Sequence, residues 1–428
     1  MSANLSASDG STASALPARL NLLEIVGNAI VGGMETCVLR LIERLPRERI
    51  NVTVMCPFES RFTDQLRALD VEVLVASMPE DPPWASIQMA ASLIKTRAID
   101  VIHAHMANAH VLGALAGKLT GKPVLSTIHG RQLYNADLEV HRAASTHLSV
   151  VCAHTYYHAL GLGVNPAQLT LIPNGVDVEV FAPRQREMRL RQRFGIPADA
   201  PVAGFIGRLS WEKGPDVFLR AVLGAHQAVP DAHFVLTGEG PMIEQLQAFA
   251  RQFGLADRLH FAGLQTDIPA VLSEYDLLVS SSHSEAMPLA ILEAMACGVP
   301  VLATRAGGVP DLVQHGITGW MVGLNDYEAL AREITRLLQA PDVRQAMGRA
   351  ARQRAVERFS LADRVTEMEA LLQRLAQPPA AARRIAAMPS QPRALASGSA
   401  NGTANGSANG SANGTAAARR AQSKAAPL

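Results

Sequence analysis

The sequence predicts an α/β protein built from two doubly wound domains that follow one another along the chain. The chain has 428 residues, more than a single core usually accommodates, and its hydrophobic fraction of 48% is enough for two cores. From Leu20 onward, short apolar runs alternate with longer amphipathic stretches, and the alternation starts again at Val202. Strands that alternate with helices favour a parallel sheet covered on both faces, so two such series indicate two domains.

The elements follow from these patterns in chain order. In the first series, the strand-like runs are residues 22–26, 52–55, 71–75, 101–103, 124–128 and 148–152, and helix-like stretches lie at 35–45, 86–95 and 109–119. In the second series, the strand-like runs are 202–206, 233–236, 259–261, 276–280 and 299–303, with helices at 215–223, 242–253 and 289–296. Further helical stretches follow at 326–338, 342–357 and 361–375.

These series set the expected domain boundaries. Residues 19–178 form an N-terminal domain, residues 201–357 form a C-terminal domain, and residues 358–376 form a closing helix. The segment 179–200 is charged and contains Pro183 and Pro197, which indicates a hinge. The tails 1–18 and 377–428, the latter with an Asn-Gly-Ser/Thr-Ala repeat, carry little apolar surface to bury and are predicted to be disordered.

Composition excludes several classes of protein. The net charge is +1 and no basic and aromatic residues interleave, so a nucleic-acid partner is not expected. The cysteines, Cys37, Cys56, Cys152 and Cys297, form no CxxC pair, which argues against a disulfide framework and against a zinc site.

The sequence also indicates where in the cell the protein is expected. The chain starts without a secretion signal and contains no apolar run of about 20 residues, so a cytoplasmic protein is expected. Peripheral contact with the cytoplasmic membrane face could come from residues 61–69 or from the basic tail around Arg419, Arg420 and Lys424. The alternative is that both segments simply face solvent.

The strongest chemical signal is the loop and helix over residues 280–298. Pro288 suits the first turn of a helix that follows a buried strand, so the helix should begin at about Met287. Unpaired amides and the helix dipole at that end favour an anion such as a diphosphate. Glu285 and Glu293 flank this position, and carboxylates can each accept hydrogen bonds from a diol. The alternative is that Glu285 caps the helix and Glu293 lies on the surface.

Two more loops follow strands of the second series. Gly207 would allow a close backbone approach, and Arg208 and Lys213 would bring a guanidinium and an ammonium that suit two phosphate groups. The alternative is a surface pair bridged to Glu212. Gly238 lies in an incomplete GxGxxG pattern, for which a tight turn is the alternative.

The first series supplies residues for the opposite side of a cleft. Gly32 and Gly33 follow its first strand and let a backbone approach a ligand closely. His129 ends another strand, and ligands of parallel sheets bind beyond the carboxyl ends of the strands. We therefore expect His129 to have a functional role, and the alternative is a structural histidine.

In this order, the motifs resemble those of the family 4 glycosyltransferases with the GT-B fold, two facing Rossmann-like domains with a cleft and a hinge between them. The resemblance covers residues 20–375. Glu285 and Glu293 match the E-x7-E motif of that family, and Gly307, Gly308, Pro310 and Asp311 are also typical of it.

The resemblance implies a retaining hexosyltransferase that takes a sugar from a nucleoside diphosphate sugar and needs neither metal nor cofactor. It makes His129, Glu285, Arg208 and Lys213 the catalytic residues. Glu293 would bind the ribose, and Glu285 would also bind the transferred sugar. The remaining donor-binding residues would be Gly32, Gly33, Gly207, Gly238, Met287, Leu289 and Ala290. The acceptor would be a lipid-linked glycan or a growing cell-surface glycan, in polysaccharide or lipopolysaccharide biosynthesis.

One departure concerns the donor. The family often has glycine after the first motif glutamate, and this chain has Ala286, which could narrow the sugar pocket. The sugar, the base and the acceptor stay open. Two other functions also stay open at this point: a nucleotide-sugar epimerase on the same fold, and a non-catalytic module that binds nucleotide sugars.

Overall fold

The computed structural model describes residues 19–377, and these contain two parallel sheets. The first sheet has seven strands in the order β3-β2-β1-β4-β5-β6-β7, and every neighbouring pair is parallel. Its strands are β1 Leu20–Val26, β2 Ile50–Cys56, β3 Glu72–Val75, β4 Val101–His105, β5 Val124–Ile128, β6 His147–Val150 and β7 Leu169–Leu171.

The second sheet has six strands in the order β10-β9-β8-β11-β12-β13, again all parallel. Its strands are β8 Val202–Ile206, β9 His233–Thr237, β10 Leu259–Gly263, β11 Leu277–Ser280, β12 Val301–Thr304 and β13 Gly319–Val322. The strand order reverses beside β1 in the first sheet and beside β8 in the second, and crevices for ligands form at such points. The predicted α/β fold with two Rossmann-like sheets is confirmed.

Helices cover both sheets. In the first series they are α1 Gly33–Arg44, α2 Arg61–Ala68, α3 Trp84–Thr96, α4 Ala107–Thr120, α5 Asn135–Ala144 and α6 Ala153–Gly161. The others are α7 Arg189–Phe194, α8 Pro215–Ala225, α9 Ile243–Gln252, α10 Ile268–Ser273, α11 Leu289–Ala296, α12 Val309–Leu312, α13 Tyr327–Gln339, α14 Pro341–Arg358 and α15 Leu361–Ala376. None of the helices among the described residues is long and apolar enough to cross a bilayer.

The closing helix α15 returns to the first sheet. Its residues Val365, Met368 and Leu372 share a core cluster with Leu22 and Val38 of the N-terminal part of the chain. The return is fixed where Val176 and Ser360 form an isolated bridge. Helix α15, the last of the described helices, therefore stabilises the N-terminal sheet.

Helix α2 covers most of residues 61–69, and it buries Phe62 and Leu66 in the first core. Phe62 and Leu66 are therefore unavailable for a membrane, and the predicted peripheral contact of this segment stays a prediction. The predictions of disorder for residues 1–18 and 378–428, including the basic tail at Arg419, Arg420 and Lys424, lie outside the described residues.

Candidate functional site

The N-terminus of α11 is open to a ligand. The strand β11 ends at Ser280, a loop follows, and α11 begins at Leu289. Pro288 has extended backbone torsions and precedes the helix, and no side chain caps this end. The predicted start at Met287 was therefore two residues early, because proline occupies the capping position. The first amides of α11, at Leu289 and Ala290, have no capping side chain, as an anion site requires.

Glu285 lies in the loop just before this helix end. It is 8% exposed and does not cap the helix. One carboxylate oxygen, Oε1, accepts hydrogen bonds from Lys213 Nζ at 2.7 Å and from Ser282 Oγ at 2.8 Å. The carbonyl oxygen of Glu285 accepts from the amide of Gly308 at 3.3 Å. Its side chain and its backbone are therefore both held in place.

Lys213 reaches Glu285 because two loops are bound to each other. Lys213 ends a short 3-10 turn that follows β8. The amide of His283 donates to the carbonyl of Glu212 at 3.0 Å, and Ser281 Oγ donates to the carbonyl of Gly214 at 2.7 Å. Glu212 accepts from Ser210, and Lys213 forms its ion pair with Glu285 and not with Glu212.

Arg208 is the second predicted cation of this loop. It is exposed, and within residues 19–377 its guanidinium has no hydrogen-bond or ion-pair partner. The guanidinium of Arg208 lies in the same loop as the ammonium of Lys213, and it is available for an anionic ligand.

Gly207 and Gly238 hold neighbouring strand ends close together. The amide of Gly207 donates to Thr237, and the amide of Gly238 donates to Gly263. Gly238 has a φ of 134°, and a Cβ there would lie 1.9 Å from the carbonyl oxygen of Gly207. The structure thus gives Gly238 a packing role in a tight turn, and its predicted contact with a donor stays a prediction.

On the first sheet, Gly32 precedes α1 and Gly33 begins it. No side chain caps this helix end either. A Cβ added to Gly33 would meet no atom within 4 Å, so the glycine is not required by packing. The space in front of Gly33 is therefore available to a ligand.

Gly33→Ala is expected to keep the melting temperature of the unliganded protein within about 2 °C and to weaken ligand binding at least tenfold. The added methyl group has room in the unliganded protein but would meet a ligand that touches the backbone. Gly161→Ala is the matched control, because a Cβ there also meets nothing and Gly161 ends α6. Equal binding by both variants, measured by calorimetry, would remove Gly33 from the site.

His129 follows β5 and is partly buried. Its Nε2 lies 2.9 Å from Nδ1 of His105, which ends β4. Burial, together with the neighbouring His105 and His103, lowers the pKa of His129 well below its ordinary value. His129 is therefore neutral at pH 7, and it can act as a hydrogen-bond partner but not as a permanent cation.

Three contacts join the two halves of the chain around these residues. Arg40 on α1 forms an ion pair with Glu293 on α11, with Nη2 and Oε1 2.8 Å apart. Asn174 donates to the carbonyl of Met287 at 3.0 Å. Asp311 accepts at 2.7 Å from the amide of Ala153, the first residue of α6.

The contact of Arg40 changes the interpretation of Glu293. Glu293 is 6% exposed, so the alternative that it is a surface residue is wrong. Burial raises its pKa, and the adjacent guanidinium of Arg40 opposes this effect. Arg40 therefore stabilises the ionised form that a hydroxyl-binding carboxylate needs.

Four residues of this region were not predicted from the sequence: Glu24, Arg40, His103 and His105. Arg40 gave no local signal, because its partner lies 253 positions away. The His-x-His pair at the end of β4 was a usable signal, since buried histidines at a strand end need partners.

Comparisons with known proteins define the class. The sequence model for "Glycosyl transferases group 1" matches residues 187–354, and the model for "Glycosyltransferase Family 4" matches residues 31–180. A D-inositol 3-phosphate glycosyltransferase of Acidothermus cellulolyticus is 31% identical over 374 residues, covering 77% of this chain and 83% of the relative.

A second relative is an Escherichia coli UDP-Gal:alpha-D-GlcNAc-diphosphoundecaprenol alpha-1,3-galactosyltransferase. It is 28% identical over 362 residues, covering 79% of this chain and 93% of the relative. Among solved structures, HepE of Anabaena in complex with UDP and glucose has a TM-score of 0.74 at 23% identity. That match covers 83% of this chain and 100% of HepE.

The chain belongs to the family 4 glycosyltransferases and has their GT-B fold. It is an enzyme, a glycosyltransferase that acts on nucleotide sugars. The alternatives of an epimerase and of a non-catalytic binding module therefore give way to the transferase.

Proposed function

We propose that this enzyme transfers a hexosyl group, with retention of anomeric configuration, from a UDP-sugar to a lipid-linked or cell-surface glycan. The proposal depends on one observation above all. Lys213 and Glu285 meet beside the uncapped N-terminus of α11, so cation, carboxylate and free amides converge on one position. A diphosphate that carries a sugar has the matching anionic and hydroxyl groups.

The transition state explains why these groups would act together. Cleavage of the glycosidic bond builds negative charge on the departing diphosphate, and preorganised donors stabilise that charge in a water-poor site. Lys213, Arg208 and the first amides of α11 would supply the donors without a metal. His129, placed beyond the end of β5, would contact the reacting sugar from the opposite side.

The two motif carboxylates would bind the two sugar rings of the donor. Glu285 would accept from hydroxyls of the transferred sugar, and Glu293 would accept from the ribose. Because Glu285 is ion-paired with Lys213 and hydrogen-bonded to Ser282, it is a weak nucleophile. This is consistent with retention without a covalent intermediate on Glu285.

The choice of uridine and of the acceptor rests on similar proteins. The galactosyltransferase of Escherichia coli is named for a UDP-sugar donor and a diphosphoundecaprenol-linked acceptor, and HepE binds UDP. Such an acceptor would bring this enzyme to the cytoplasmic face of a membrane during polysaccharide or lipopolysaccharide biosynthesis.

The test is a panel of UDP, GDP and ADP with their common hexose conjugates, read by thermal stabilisation. A uridine ligand at a hundred times its dissociation constant should stabilise the protein by about 2.7 kcal/mol. UDP release should require both the matching UDP-sugar and a polyprenyl diphosphate glycan, and should continue in excess EDTA.

Two readings complete the test. The anomeric proton coupling of the product, measured by NMR, should match that of the donor sugar. Stabilisation by GDP or ADP in preference to UDP would refute the choice of base, an inverted product would refute retention, and loss of turnover in EDTA would refute metal independence.

A further inference from the structure

Four buried or partly buried side chains form a hydrogen-bonded chain across β1, β4 and the end of β5. Glu24 Oε2 lies 2.8 Å from Nε2 of His105, and Glu24 Oε1 lies 3.1 Å from Nδ1 of His103. His105 Nδ1 lies 2.9 Å from Nε2 of His129. Glu24 and His103 are 0% exposed and His105 is 2% exposed, so no water competes for these bonds.

The position of each proton follows from the carboxylate. Burial alone would raise the pKa of Glu24, yet its interactions with His103 and His105 bring it down to about 2. An ionised carboxylate only accepts hydrogen bonds, so His105 must donate from Nε2 and His103 from Nδ1. The other nitrogen of His103, Nε2, lies 2.8 Å from the hydroxyl of Thr127 and can accept from it.

The assignment continues to His129. Burial, with His103 nearby, lowers the pKa of His105 to about 4, so its ring carries one proton at pH 7. With that proton on Nε2, the Nδ1 of His105 accepts, and the donor must be Nε2 of His129. Neutral His129 then has no proton on Nδ1, and this atom has no hydrogen-bond partner in the described part of the chain.

We propose that Glu24 is a positioning residue which, through His105, fixes the tautomer of His129 so that Nδ1 is a hydrogen-bond acceptor for a substrate hydroxyl. The inference rests on the proposed function, because it assumes that His129 contacts a substrate. His129 lines a cavity together with Cys37, Arg40 and Asn174. Arg40 forms the ion pair with Glu293, and Asn174 donates to the carbonyl of Met287. The ring of His129 therefore borders a cavity, two lining residues of which, Arg40 and Asn174, also contact the second half of the chain.

Glu24→Gln tests the relay with little change in volume. The carboxamide replaces one acceptor oxygen with a donating NH₂ group, so one of the two histidines bonded to it must reverse its tautomer. If the tautomer of His105 reverses, its Nδ1 donates to Nε2 of His129. His129 then carries its proton on Nδ1 and can no longer accept a hydrogen bond there. We expect kcat for UDP release to fall about 10²-fold, while the dissociation constant for UDP stays within threefold.

The tautomers can be read directly by ¹⁵N NMR of the histidine side chains. In the unaltered protein, His129 should be protonated at Nε2 alone, and in Glu24→Gln a signal for the Nδ1 tautomer should appear. This measurement on the unaltered protein holds even if Glu24→Gln folds poorly or if no UDP-sugar is turned over. It therefore separates failure of the relay from failure of the proposed function.

Glu274→Gln is the matched control. Glu274 is 2% exposed and accepts from the amides of Leu190 and Arg191, remote from His129. This variant should lose stability to a similar degree while kcat and the signals of His129 stay unchanged.

Four results would overturn the relay: an Nδ1-protonated His129 in the unaltered protein, a metal ion bound by Glu24, His103 and His105, or, in Glu24→Gln, a new tautomer of His129 with unchanged kcat or a fall in kcat without a new tautomer.

Discussion

Lys213→Ala is expected to lower kcat for transfer by about 10² to 10³-fold while the fold remains intact. The ammonium lies beside the uncapped end of α11 and is the residue there that already contacts a motif carboxylate, Glu285. Its removal would leave the negative charge of the departing diphosphate with one fixed cation fewer. The measurement is steady-state UDP release with the donor and acceptor identified by the ligand panel.

Lys122→Ala provides a matched control for this change. Lys122 is 34% exposed and pairs with Asp100 at 3.8 Å, and Lys213 is 32% exposed in its own pair. Both variants should keep the circular dichroism of the unaltered enzyme, but Lys213→Ala leaves the buried carboxylate of Glu285 without its cation, so its melting temperature should lie below that of Lys122→Ala. If Lys213→Ala turned over within threefold of the unaltered enzyme, the cation would have no part in the chemistry.

Glu293→Ala is expected to raise the dissociation constant for UDP by about 10 to 100-fold, which corresponds to roughly 1 to 3 kcal/mol. Two effects add. The ribose loses a buried acceptor, and the guanidinium of Arg40 loses its partner and becomes a partly buried, unpaired charge. The second effect also lowers stability, so binding should be measured by calorimetry well below the melting temperature.

A double-mutant cycle with Arg40→Ala separates the two effects. If the ribose interaction dominates, Glu293→Ala weakens UDP binding to the same degree in the presence and absence of Arg40. Glu369→Ala is the control, because Glu369 is also buried and pairs with Arg49 at 2.7 Å, away from the cleft. Unchanged UDP affinity in Glu293→Ala would contradict the assignment of Glu293 to the ribose.

Local pattern was sufficient for most of the fold. The runs at 124–128 and 202–206 are the observed strands β5 and β8 to the residue. The pattern missed β13, which begins with glycine, and it gave no bounds for β7, which is only three residues long. Both lie at edges of their sheets, where one neighbouring strand supplies the hydrogen bonds and the sequence carries little periodicity.

Some features of the candidate site were also predictable from local sequence, and others were not. The loops that hold Lys213 and Glu285 were predictable, because each lies directly after a strand and the residue types that indicate a ligand site are close together in the sequence. Their contact was an inference from topology, since carboxyl ends of adjacent parallel strands meet at one edge. That Ser282 and Gly308 would hold Glu285 in place was not accessible.

By itself, the sequence determined the two α/β series, the order of the motifs and the residue types of the proposed diphosphate site, because these depend on periodicity and on short spacings. Only the tertiary structure decided that α15 returns to the first sheet, that Arg40 pairs with Glu293 and that Glu24 reaches His129 through His105. Each of these contacts joins residues far apart in the chain. Their formation depends on how the cores pack, a property that no local window of residues contains.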